Sequence, residues 1–334
     1  MSGTRKTDFA ALVQAFFTHR LILQRQASKN TIAAYRDTFR LLIRFAQDIL
    51  GKAPTELSVT DIDASIVSNF LDHLEGERKN SVRTRNVRLA AIHSFFRYVA
   101  LEEPAHAAVA QRILALPSKR SRRRMVAFLN ESEITALLAA PDLNTKTGRR
   151  DRVLLLLALQ AGLRVSEITG LRIQDVTFGP GAHVFCLGKG RKERHTPLRR
   201  DTSLALRQWL RERRGKASDP LFPNAQGNPL TRDGVAHRLS KHVAVARRTC
   251  PSFRNKRVTP HVLRHTAAMT LLHSGVDRSV IALWLGHEKM ESTDIYLHAD
   301  LKLKEKALSK TNPSKVVNRR YQPPDHLLAF LEGL

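Results

Sequence analysis

Cysteine is scarce in this 334-residue chain. Cys186 and Cys250 lie far apart and form no C-x-x-C pair. That argues against a disulfide framework and a cysteine-based zinc site, fits a reducing cytosol, and leaves Cys186, in H-V-F-C-L, as a small buried hydrophobe. Long apolar runs are missing too. None approaches the ~18 residues of a membrane span, and the longest, Val153 to Leu159, suits a buried core helix. Met1 to Asp8 carries no apolar segment of the signal-peptide kind. Internal repeats and low-complexity segments are absent. Acidic residues are in short supply: 30 Asp+Glu face 56 Lys+Arg, for a formal charge of +26. That excess argues against a neutral-metabolite enzyme and for a polyanionic partner, nucleic acid or an anionic membrane surface. The basic residues recur along the whole chain rather than on one amphipathic helix, which sets the membrane surface aside. A 42% hydrophobic content over this length allows two domains with sizeable cores.

Residues 8 to 116 read as helices. Ser28 to Gln47 opens on capping residues, Ser28 and Asn30, and repeats apolar positions on one stripe. A second helix is expected from about Thr60 to Leu74. A third is expected from about Ser81 to Leu101, with Val87, Leu89, Ile92, Phe95, Phe96 and Tyr98 on or near its inner face and Arg83, Arg85, Arg88 and Arg97 as cations. Pro117 then breaks the pattern. The run S-K-R-S-R-R-R that follows, with Lys119, Arg120, Arg122, Arg123 and Arg124, reads as a basic linker that would suit tracking along a phosphate backbone. Beyond it, Asn130 and Glu133 form a capping-box pattern, and Asp151 to Gly162 reads as a central helix apolar on most sides. His183–Leu187 and Glu193–Pro197 read as a β-hairpin with Lys189 at or near its tip. The pattern after Arg200 is helical. The tail beyond Lys310 is polar and ends in an apolar stretch, His326 to Leu334. The expected fold is mainly α with a small β-hairpin or sheet.

Six residues carry the chemistry: Arg164, Lys189, His261, Arg264, His287 and Tyr296. Two guanidiniums, one ammonium, two imidazoles and a phenol suit attack on a phosphodiester by tyrosine. The phenol, with a pKa of about 10, becomes a useful nucleophile when cations clamp the phosphate and a proton-transfer group stands near. Glu167 follows Arg164 by three and could pair with it. His261 and Arg264, three apart after Pro260, share a face at a helix start that favours anions. His265 is expected to point elsewhere and to be structural. Gly286 is expected to cap a helix and put His287 at a turn. Zinc at His261, His265 and His287 is disfavoured by the missing cysteines and the wide spacing.

The segments A-G-L-R-V-S-E-I, L-G-K-G-R-K-E-R, T-P-H-V-L-R-H-T, L-G-H-E and D-I-Y-L-H, with the opening S-K-N-T-I-A-A-Y-R, together resemble the tyrosine recombinase (phage integrase) family, closest to its two-domain Xer-like members. The resemblance covers nearly the whole chain. It implies a SAM-like helical core-binding domain at 1–117, a basic linker at 118–128, an α+β catalytic domain at 129–310, and a tail at 311–334 that docks on a neighbouring protomer. It also implies roles. Arg164 and Arg264 would clamp the scissile phosphate, and Lys189, with Lys192 the second choice, would protonate the leaving 5′ oxygen. His261 would assist proton transfer, His287 would hold the phosphate, and Tyr296 would form a 3′-phosphotyrosine link. The implied partner is a double-stranded recombination site, engaged by dimers to tetramers, with a partner recombinase or accessory protein possible. No metal and no cofactor are implied. Cytoplasmic, DNA-associated residence follows. No arm-binding domain is expected before residue 8. The basic Arg247–Arg257 segment and the long tail tilt the expectation toward integration, excision or transposition of a mobile element. The rivals are DNA relaxation of the type IB topoisomerase kind and a catalytically idle DNA-binding accessory protein.

Overall fold

Side-chain caps set where several of the described helices begin. A computed structural model describes residues 9–120, 126–188, 193–286 and 293. The chain divides into two units, Met1–Arg123 and Arg124–Leu334.

In the first unit, α1 (Phe9–Ala15) runs on into a π-helical stretch, Phe16–Gln24. The Ser28 hydroxyl accepts the Thr31 N–H and starts α2 (Lys29–Leu50). The expected start at Thr60 shifts. Ser58 and Asp61 cap each other around a 3-10 turn, Val59–Asp61, and Asp63 then accepts the Ile66 N–H to open α3 (Ala64–Gly76). Two caps so close together make two short starts where periodicity suggests one. Ser81 caps α4 (Val82–Glu102), and α5 (Ala107–Leu114) follows. The core is aromatic: Phe16, Phe39, Phe95 and Phe96 are buried, with Phe95 edge-on to Phe16 at 5.4 Å and to Phe39 at 5.1 Å.

Two positions on α4 differ from expectation. Val87 is 54% exposed, and Arg85 is only 6% exposed. Arg85 stands four residues before Leu89, so it continues the buried stripe Leu89, Ile92, Phe96 and Val99. Its guanidinium donates to the Pro117 carbonyl at 3.2 Å, and Glu75 lies 3.9 Å away. An inward Arg85 is removed from the set of exposed DNA-facing cations.

In the second unit, Asn130 and Glu133 do form a capping box at the start of α6 (Glu131–Ala139). Glu133 is fully buried and also holds Ser252 at 2.6 Å and Lys256 at 2.7 Å, tying residues 252–256 onto α6. The central helix α7 (Lys146–Ala161) starts five residues earlier than Asp151 because Thr145 caps Gly148. It buries Val153, Leu154, Leu155, Leu157, Ala158 and Ala161. After α8 (Val165–Gly170), three antiparallel strands pair in the order β1 (Val176–Thr177), β2 (His183–Leu187), β3 (Glu193–Pro197), with Cys186 opposite Arg194. The hairpin bounds agree with the sequence reading, and β1 adds a short third strand. Helices α9 (Arg200–Arg213), α10 (Arg232–Thr249), α11 (Pro260–His273) and α12 (Arg278–Leu285) complete the described unit.

Because Phe95 is wholly buried among four other rings, Phe95→Ala should destabilise the first unit by about 3–5 kcal/mol, as large aromatic deletions do. Urea denaturation checks this.

Candidate active site

The end of α7 builds the site. Gly162 caps the helix with φ 61°. A Cβ there would meet Leu285 Cδ2 at 2.7 Å, so only glycine both turns the chain and lets α12 approach. The turn buries Leu163 and leaves Arg164 as the first residue ahead of α8.

Glu167, one turn into α8, is the hub. Its carboxylate accepts the Arg164 backbone N–H at 2.7 Å and Arg164 Nη1 at 2.9 Å. Arginine has no acceptor, so only the Glu167 half of a capping box forms. Arg194 on β3 completes the hub with a two-pronged contact, Nη1 to Oε1 at 3.0 Å and Nη2 to Oε2 at 2.6 Å. Arg264, at the start of the second turn of α11, brings Nη1 to 4.0 Å from Oε2. Three guanidiniums thus surround one carboxylate, an excess of positive charge that suits a phosphate. Burial works against ionised Glu167. The hydrogen bonds and charge of Arg194, and then the hydrogen bonds of Arg164, outweigh it and hold the carboxyl below its ordinary range.

Both sequence-predicted arginines also grip the end of α12. Arg264 donates to the Leu285 carbonyl at 2.6 Å and to the Gly162 carbonyl at 2.7 Å. Arg164 Nη2 donates to the Gly286 carbonyl at 3.1 Å. Gly286 is left-handed, φ 63°, and caps α12 as expected. The structure therefore unites Arg164, Arg264 and the turn that leads in sequence to His287. The Arg164 side chain keeps 27% of its surface exposed, whereas that of Arg264 keeps 5%.

His261 is exposed in the first turn of α11. His265 does not point elsewhere: four residues on, its ring lies 6.3 Å from that of His261 at 28°. Burial first, and then the charges of His261 and Arg264, push the His265 imidazole down to about 4. Among the described residues no group of three or more His, Cys, Asp or Glu could hold a metal ion.

Lys189, Lys192, His287 and Tyr296 lie outside the described residues, as do Arg122, Arg123, Arg124 and the 311–334 tail. Of the other basic candidates, Arg83 and Arg120 are exposed and Arg88 is half-buried. Lys119 is exposed, but its ammonium meets Glu75 and Asp72 and its backbone pairs with the Asn86 amide at 2.8 Å and 3.2 Å. Sequence reasoning missed Arg194. Its signal was strand alternation: Arg194 and Thr196 share the side of β3 that turns inward with Cys186.

Residues 127–302 match the Phage integrase family, and residues 14–103 match the Phage integrase, N-terminal SAM-like domain. The chain is 54% identical over 331 residues to "Putative integrase/recombinase y4rC" of Sinorhizobium fredii, covering 99% of this chain and 100% of that protein. It is 32% identical over 302 residues to the tyrosine recombinase XerC of Pelobacter propionicus, covering 90% and 95%. The fold matches the XerH site-specific recombinase in a post-cleavage complex with a palindromic difH substrate, with TM-score 0.69 at 24% identity over 85% of this chain and 81% of that one. The chain belongs to the phage integrase family, the tyrosine recombinases, which are enzymes that break and rejoin DNA.

Glu167→Gln should cost about 3–5 kcal/mol at neutral pH, since it leaves Arg194 and Arg264 buried without their carboxylate. Glu167 is held below its ordinary 4.5, so its contribution is present above pH 4.5 and is lost as pH falls toward the folded value. The urea-midpoint gap between wild type and Glu167→Gln should therefore narrow below pH 4.5.

Proposed function

We propose that this chain is a site-specific tyrosine recombinase serving integration, excision or transposition of a mobile element, and that Arg164, Lys189, His261, Arg264, His287 and Tyr296 are its catalytic residues. The observation that carries this reading is the convergence of Arg164 and Arg264 on Glu167 and on the Leu285–Gly286 turn just ahead of His287. The two guanidiniums would hold the non-bridging oxygens of one phosphate and stabilise its charge in the transition state. The Tyr296 oxygen would attack phosphorus, forming a 3′-phosphotyrosine bond as the bond to the 5′ oxygen breaks. Lys189 would supply the proton to that leaving oxygen, while His261 and His287 assist proton transfer and hold the phosphate. A 5′ hydroxyl from a second strand would reverse the step, so no ATP is consumed. The full-length relation to an integrase/recombinase-named protein supports the mobile-element role.

The domain assignment follows: 1–117 as the core-binding domain, 118–128 as linker, 129–310 as catalytic domain, 311–334 as a tail docking on a neighbouring protomer. Arg83, Arg88, Lys119, Arg120, Arg122, Arg123 and Arg124 would contact phosphates. The partners would be a double-stranded recombination site, further copies up to a tetramer, and a partner recombinase or accessory protein. The setting would be the cytoplasm; no described helix is long and apolar enough to cross a membrane.

Tyr296→Phe should abolish the covalent adduct on nicked duplex while leaving affinity within about threefold, less than one hydrogen bond. Mass spectrometry of the adduct and fluorescence anisotropy read the two effects. Affinity should also fall by about a thousandfold or more between ~50 mM and ~200 mM salt if six or more phosphates are contacted; anisotropy across a salt series measures the slope.

A further inference from the structure

A carboxylate offers about four lone-pair sites. Glu167 fills them with four donors: the Arg164 N–H, Arg164 Nη1, Arg194 Nη1 and Arg194 Nη2. Half of that set comes from Arg194. Arg264 stands next in line at 4.0 Å, with its own donors committed to the Gly162 and Leu285 carbonyls.

Among the described residues the hydrogen bonds of the Arg194 guanidinium all go to Glu167. Its side chain is 10% exposed, and its Nε is buried with no hydrogen-bond partner among the described residues. The cross-strand neighbour, Cys186, does not neutralise it: burial pushes that thiol up to about 12, even against the pull of Arg194. The guanidinium also lies against Gly286, the cap of α12. A Cβ on Gly286 would come within 2.9 Å of Arg194 Nη1 and 3.4 Å of its Cδ.

We propose that Arg194 is a positioning residue of the strand-transfer site, saturating Glu167 so that the carboxylate aims Arg164 and leaves Arg264 gripping the α12 turn. This rests on the proposed function of the site, and it deepens it by joining β3 to the arginine pair. Without Arg194, two lone pairs on a buried carboxylate open. The adjacent Arg264 is then drawn off the Gly162 and Leu285 carbonyls, and both guanidiniums leave their places. Lysine cannot substitute, because a single ammonium does not bridge two carboxylate oxygens in a fork.

The test uses the full chain, a pool of nicked random-sequence duplexes, and the Arg194→Ala and Arg194→Lys variants. Both variants should form the covalent adduct about 100-fold more slowly, the scale of an ångström's misplacement, with affinity for the pool unchanged. Millimolar methylguanidinium should partly restore Arg194→Ala. A wild-type rate in either variant, or an equal loss of affinity and rate, would overturn the positioning role. A second readout needs no DNA. In thermal unfolding, Arg194→Lys and Glu167→Gln should together lower Tm by clearly less than the sum of their separate effects. Additive effects would sink the inference even if wild type forms the adduct. Coupling without any wild-type adduct would uphold the Arg194–Glu167 latch and instead overturn the strand-transfer reading.

Discussion

A carboxylate buried to a few per cent of its surface must be surrounded by donors, and in this chain that requirement organises the second unit. Glu167 draws one arginine from the cap of its own helix, one from β3 and a third from α11. Those elements are far apart in sequence, and no apolar contact would fix their orientation to the same degree. The packed core around α7 brings them near; the charge set decides how they face. An unpaired ion there would cost several kcal/mol, so the geometry of the arginines is enforced by folding itself. The hydrogen bonds of Arg164, Arg194 and Arg264 are accordingly part of the fold.

The same constraint explains two glycines. Gly162 and Gly286 both end helices in the left-handed region, and both stand where a side chain would strike a neighbour: Leu285 in one case, Arg194 in the other. Each exposes a backbone carbonyl that an arginine uses. Helix ends normally leave carbonyls for water. Here they serve as fixed acceptors that hold guanidiniums at an angle.

Much of this was legible in the sequence. Helix starts at Ser28 and Asn130 followed from cap chemistry, the start near Ser81 from apolar pattern, and the hairpin bounds from strand pattern and glycine placement. The pairing of Arg164 with Glu167 followed from a spacing of three. What escaped has physical causes. The Asp63 cap is overshadowed by the Ser58–Asp61 pair just before it. Arg85 looked like surface because charge outweighed its place in the apolar stripe. His265 looked set to point elsewhere because it directly follows Arg264, although four-residue spacing returns it to the side of His261. Arg194 hid inside a basic motif, where charge density masks the one member that turns inward. Long-range partnerships, such as Glu133 with Lys256, depend on tertiary folding and leave no local trace.

The placement of the two cysteines has a practical side. Both are buried and free, both belong to the second unit, and the first unit has none. With its thiol raised to about 12, Cys186 carries almost no thiolate at neutral pH, and the thiolate is the form that reacts. An alkylating reagent therefore reaches it chiefly when the core around β2 opens. The chain carries a built-in clock for the breathing of one unit, silent about the other, that needs no engineered label.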